Sequence, residues 1–162
     1  MSEIFNFPVL LNEHKIDIQQ YSNREKIEII EYIILNTLDN IASDLPIEHY
    51  VHGGIYERSL FIPSGVVLIG KIHLADHIFY LLEGDLSVMT DEGIKRIQAP
   101  NRFNVKAGIK KLGYAHTDVL CTTFHRTDLT DIDEIEKELF DDGNIDWVEG
   151  IMNVDKNEKE AA

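Results

Sequence analysis

The sequence predicts a mostly β protein: short antiparallel strands closed into a barrel or sandwich, with a helix before and a helix after. Between Ile55 and Arg126, short runs rich in Val, Ile, Leu, Tyr and Phe alternate with turn signals such as Pro63-Ser64-Gly65, Glu83-Gly84-Asp85 and Asp91-Glu92-Gly93. Strands spaced this way, with no helical pattern between them, favour a sandwich or barrel over alternating strand-helix units. Outside that region the period changes to three and four, behind the helix-start pairs Ser22 with Glu25 and Asp131 with Glu134. The 162 residues suffice for one domain with a real core.

Residues 1–54 read as an N-terminal arm and an amphipathic helix. Phe5, Phe7, Val9 and Leu11 alternate as a short edge strand would. After the Ser22 cap, Ile27, Ile30, Ile34, Leu38 and Ile41 form one stripe, expected to pack on the barrel or on a second subunit. Pro46 opens a loop holding His49 and His52; two such histidines can ligate a metal, but in a loop a surface pair is the expectation. The barrel is assigned to 55–126, with strands at 56–62, 66–73, 78–82, 86–90, 94–99, 102–106, 110–115 and 119–125. Residues 127–154 hold a helix running through Phe140, with Ile132, Ile135 and Leu139 inward. Trp147, Val148 and Ile151 then cover a barrel edge or a neighbouring subunit, and the charged stretch 155–162 reads as a disordered tail.

A net charge of −14 argues against nucleic acid polymers and anionic membranes as partners, because it repels phosphate at long range. An anionic ligand would need a local basic pocket set against that field. The single cysteine, Cys121, excludes an internal disulfide, fits a reducing compartment, and in a strand reads as a buried inert thiol. No apolar run reaches the length of a membrane span, and no basic-then-apolar leader opens the chain, so the expected location is the cytoplasm.

The stretch Gly65 to Gly84 carries the chemistry. Lys71 and His73 stand two apart, which on one strand puts both on the face of Val67 and Ile69, as in a pocket wall. Tyr56 and Arg58 likewise share a face of the preceding strand. The spacing Gly65, five residues, Lys71, one, His73, three, His77, six, Gly84 resembles the first motif of the cupin family. A second motif is matched by Pro100, Lys106-Ala107-Gly108, Lys111 and Ala115, where Gly108 alone keeps a marker residue. The runs YERSLFIPSG and GKIH also resemble small cupin-like proteins of bacteriophages. The resemblance covers about residues 55–126 and implies a jelly-roll β-barrel of the cupin type, commonly a homo-oligomer.

Metal-binding cupins use three histidines and a glutamate. At those positions this chain has Lys71, His73, His77 and Lys111. A protonated lysine donates and does not ligate, so no metal cofactor is favoured; if one is held, His73, His77 and His125 are its ligands. His116 is a further possible ligand, and His125 otherwise reads as a structural histidine. The same positions suit an anion: Lys71, His73, His77 and Lys111, with Tyr56 and Arg58, would line a cationic mouth. The leading expectation is therefore a binding module for a small anionic ligand, a nucleotide or sugar phosphate. If the phage likeness holds, it would sequester a host immune nucleotide signal in the host cytoplasm. The alternatives are a cupin enzyme, an isomerase, epimerase or weak-metal oxygenase using His73 and His77, and a structural virion component.

Overall fold

The computed structural model describes residues 16–37 and 45–152; the expected edge strand at Phe5–Leu11, the end of the Leu38–Ile41 stripe and the 155–162 tail lie outside them. The chain divides into two compact units, one of Ala42–Gly143 and one that joins the flanking segments Met1–Ile41 and Asn144–Ala162.

The first unit is the barrel, built from β1 (Ile47–His52), β2 (Ile55–Ile62), β3 (Val67–Gly70), β4 (Ile72–His73), β5 (His77–Glu83), β6 (Asp85–Thr90), β7 (Gly93–Gln98), β8 (Asn101–Val105), β9 (Lys111–Ala115), β10 (Val119–Arg126) and β11 (Phe140–Asp141). One sheet runs β1-β2-β10-β5-β8, a second β3-β9-β6-β7, and β4 pairs with β11. All pairs are antiparallel, and they nest: β2 with β10, β3 with β9, β5 with β8, β6 with β7. A chain wound as one long hairpin whose successive pairs fall in opposite sheets is a jelly roll. The mostly β jelly roll with flanking helices is thus the observed fold. Its core joins both sheets through Leu60, Ile62, Leu81, Leu86, Ala115, Val119 and Cys121, the leucine, isoleucine and valine side chains contributing about 1.5–3 kcal/mol apiece by burial.

Three strand assignments change. Residues 47–52 are a strand, not a loop, because Gly53 (φ 60) and Gly54 (φ 80) close a tight hairpin onto β2. The 66–73 strand is two, since β3 pairs with β9 whereas β4 turns to pair with β11, leaving Lys71 between them. β11 itself follows the helix α2 (Ile132–Leu139) directly. In α2 the Asp131 side chain accepts from the Glu134 N–H at 3.0 Å, and Ile135 and Leu139 are buried, but Ile132 is at the surface.

The second unit holds α1 (Asn23–Thr37) and a helix over 146–152, α3. The capping box is reciprocal: the Ser22 N–H donates to Glu25 at 2.8 Å and the Glu25 N–H to Ser22 Oγ at 3.3 Å. Ile29 and Ile33, absent from the expected stripe, pack on Val148. Trp147 donates its Nε1–H to Glu28 at 2.8 Å, so this segment pairs with α1. Among the described residues no helix is long and apolar enough to cross a membrane.

Candidate functional site

Side chains alternate along a strand, so β2 sends Tyr56, Arg58, Leu60 and Ile62 inward, and β10 answers with His125, Thr123, Cys121 and Val119. The register sets Tyr56 beside His125, Arg58 beside Thr123 and Leu60 beside Cys121. Thr123 in turn adjoins Phe79, and Phe79 adjoins Phe103. Arg58, Thr123, Phe79 and Phe103 therefore form one row across four strands. Above the row lies a cavity of about 320 Å³, at the small end of ligand sites, with Leu68, Val88, Ile97 and Lys111 of the facing sheet opposite.

Three histidines meet at one end. His73 comes from β4, opposite Phe140; His77 opens β5, opposite Val105; His125 lies near the end of β10. Their rings stack, with centroids 4.1 Å apart for His73 and His77 and 4.7 Å for His77 and His125. Phe140 closes the cluster edge-on against His73 at 4.7 Å. His73 Nδ1 and His125 Nε2 are 3.0 Å apart, so one of them carries the bridging proton. His77 donates its Nδ1–H to the Ala75 carbonyl at 3.1 Å, which leaves Nε2 with its lone pair, and Lys111 Nζ stands 3.5 Å from that Nε2.

Burial sets the charge states. It pushes His73 far below the ordinary imidazole value, with Lys111 and the other two histidines adding repulsion. It takes His77 down to about 4, Lys111 helping and the Ala75 carbonyl opposing. It takes His125 to about 4 as well, reinforced by His77, Lys111 and Arg58. Near neutral pH all three imidazoles are uncharged. Burial also lowers Lys111 to about 8 and raises the Cys121 thiol to about 11, which keeps that sulfur protonated and inert. Tyr56 rises to about 12 through burial and then Glu136, so its hydroxyl stays a donor.

The residues fit a metal ion by the chemistry of their donors. Neutral imidazole is the ligating form, and the Ala75 carbonyl fixes the tautomer of His77 as an outer partner does in metal sites. The three ligand nitrogens lie within 4.8 Å of one another. Nitrogens sharing one ion through bonds of about 2.1 Å stand closer together than that, so the group must contract to hold it. Lys111, at 3.5 Å from His77 Nε2, opposes a cation, and so does the Arg58 charge that bears on His73 and His125.

Of the six residues expected to bind a ligand, His73, His77 and Lys111 come together, and Arg58 joins the same cavity. Lys71 does not converge with them: the strand breaks at that residue, which defeats the two-residue parity. It stands at the cavity rim, 45% exposed, with its ammonium 3.8 Å from Asp142. Tyr56 is fully buried beneath the histidines, its hydroxyl 2.7 Å from His49 Nδ1 and 3.5 Å from Glu136. His49 is thus committed to Tyr56 and stacked on it, not paired with His52 for a metal. His116 bonds Ser87 at 2.7 Å, outside the triad. The adjacent Lys110 is also buried, but donates to the Asp142 carbonyl at 2.7 Å. Thr123, Phe79 and Phe103 were not foreseen; only strand register brings them into one row.

Neither a family model nor a curated protein matches the sequence. Solved structures do match. A salicylate 1,2-dioxygenase from Pseudoaminobacter salicylatoxidans is 13% identical with a TM-score of 0.49, over 72% of this chain and 32% of that one. A DMSP lyase from Ruegeria pomeroyi is 11% identical with a TM-score of 0.49, over 59% and 53%. A cupin-superfamily protein from Desulfitobacterium hafniense is 9% identical with a TM-score of 0.47, over 56% and 84%. At such identities nothing about substrate or chemistry passes from those proteins to this chain.

Proposed function

We propose that the barrel interior is a cupin-type small-molecule site built on a three-histidine metal centre, with His73, His77 and His125 holding one divalent transition metal beside the apolar cavity. The observation that carries this is the group of three buried, neutral imidazoles whose ligand nitrogens lie within 4.8 Å. Such an ion, when bound, supplies Lewis-acid polarisation of a substrate oxygen. The chain's own part is to keep the imidazoles unprotonated, to fix His77 through Ala75, and to hold the substrate in a cavity walled mainly by apolar side chains. Elemental analysis of the purified, dialysed protein tests it. About one equivalent of a divalent transition metal per chain, lost in His73→Ala and in His125→Ala, is expected. Metal-free protein that takes up neither zinc, iron nor manganese on titration would overturn it.

A metal-free binding module is the second reading. It is favoured by the 3.0 Å contact of His73 with His125 and by Lys111 against His77 Nε2, which give each ring a partner without an ion while His125 Nδ1 stays without a hydrogen bond. In that case the cavity captures a small anion and releases it unchanged. Its nucleotide form, sequestration of a host signal, gains no support from walls as apolar as Leu60, Leu68, Phe79 and Val88.

A further inference from the structure

We infer that the ligand of this cavity is a small monocarboxylate with an apolar body, its head group held by Thr123 and Lys111 and its body lying along Phe79 and Phe103. The inference rests on the reading of the barrel interior as a small-molecule site and adds the class of molecule it takes.

Unsatisfied polar atoms mark the head-group position. The Thr123 hydroxyl is buried in a residue 8% exposed, borders the cavity and has no hydrogen-bond partner. A buried hydroxyl without a partner costs about 1–3 kcal/mol, a penalty that a ligand oxygen removes. Phe79, next to Thr123 in the row, has the Lys111 ammonium 6.0 Å above its ring centroid. No carboxylate of the described residues lies within ion-pair distance of Lys111; its polar contact is the 3.5 Å approach to His77 Nε2. A metal on that nitrogen would remove the contact and leave the ammonium buried and uncompensated, a state that calls for an anion.

The donor set and the wall chemistry together favour a carboxylate over a phosphate. On the other side of Thr123 stands Arg58, whose Nε is 3.4 Å from Glu136 Oε1 in a geometry that leaves its N–H without a hydrogen bond. Glu136 already offsets much of that guanidinium, so Lys111 is the main side-chain charge beside the row without a carboxylate partner, and a divalent ion on the histidines would add to it. A phosphate ester carries nearly two negative charges and needs a cradle of several donors. Here Lys71, Lys95 and Lys106 of the lining pair with Asp142, Glu92 and Asp76, and beyond Thr123 the row continues into Phe79 and Phe103, with ring centroids 6.4 Å apart. Aromatic walls favour a hydrocarbon body over a hydroxylated sugar. The overall charge of −14 disfavours dianions further.

Calorimetric titration of the full chain as purified, with benzoate, hexanoate, benzamide and inorganic phosphate, tests the inference. At least one of the two carboxylates should bind, about tenfold or more tightly than benzamide and than phosphate. Thr123→Val and Lys111→Met should each weaken that carboxylate about tenfold while the melting temperature does not fall, since each substitution removes a buried polar group that lacks a full partner. Benzamide binding as tightly as benzoate, phosphate binding more tightly than either carboxylate, or no carboxylate heat at millimolar concentration would each overturn it. Metal content measured on the same samples separates the two proposals. Bound metal without carboxylate affinity rejects the ligand class alone, and carboxylate affinity in a protein that takes up no metal rejects the metal centre alone.

Discussion

His73 Nδ1 meets His125 Nε2 at 3.0 Å although the two residues are 52 apart in sequence, so β4 and the end of β10 are tied inside the barrel by one imidazole pair. Replacing either ring leaves the other with a buried, unsatisfied nitrogen. His125→Ala should therefore lower stability by about 1–3 kcal/mol as well as abolish metal retention. Urea denaturation of metal-stripped protein isolates the first effect, and an unchanged midpoint would show that the pair contributes nothing to the fold.

Acid should unfold the protein through the same cluster. His77 and His125 have ordinary values of 6.5 and folded values of about 4. Between those limits the unfolded chain binds protons that the folded chain refuses, so stability rises with pH across the window. The contribution is complete above about 6.5 and disappears as pH falls toward 4. Denaturant midpoints of metal-stripped protein should be flat from pH 8 to 7 and then decline steadily. The double variant His77→Asn, His125→Gln should make that decline shallower, leaving the part that His73 contributes. Carboxylates held low by hydrogen bonds, Asp85 with Arg96 and Gln98 among them, act only below about pH 4 and do not confuse the result. A wild-type profile flat down to pH 4.5 would contradict the prediction.

The sequence carried the architecture well and the site in part. Strand density, turn residues and both capping boxes are local signals, and each has its counterpart in the structure. β1 was missed because its residues, Ile-Glu-His-Tyr-Val-His, show little apolar alternation, and its stability comes from pairing with β2 across a two-glycine turn. Lys71 was misplaced because parity holds only while one strand continues, and nothing local announces that β3 and β4 take different partners. The nearness of His125 to His73 depends on the order of strands in the roll, which no window of sequence contains. The spacing of His73 and His77, by contrast, is short enough for the motif itself to bring them together.

Gly84 should tolerate no side chain. It has φ +95, in the left-handed region, and an added Cβ would run into the Asp118 carbonyl oxygen and lie 2.8 Å from Val119 Cγ2. Its carbonyl also accepts from the Ala99 N–H at 2.9 Å, so the turn between β5 and β6 cannot shift freely. Gly84→Ala should cost more than about 2 kcal/mol by the combined strain and overlap. Gly93→Ala, with φ +113 but open space around the added carbon, should cost less. Equal melting temperatures for the two variants would mean that the backbone, not the close approach, dominates.

Two lysines near the strand break should behave in opposite ways. Lys71 is 45% exposed and its ammonium lies 3.8 Å from an Asp142 carboxylate that is itself open to solvent. An exposed pair of that length contributes little, so Lys71→Ala should change stability by less than about 0.5 kcal/mol. Lys110 is 1% exposed and fastens the turn after β11 by donating to the Asp142 carbonyl at 2.7 Å. Lys110→Ala removes that bond and the packing of a fully buried side chain, an expected loss of about 2–4 kcal/mol. Because that turn follows β11, whose Phe140 pairs with His73, the same variant should also weaken metal retention, whereas Lys71→Ala should not. Thermal melts with and without added zinc read both effects, and equal losses for the two lysines would remove the distinction between rim and anchor.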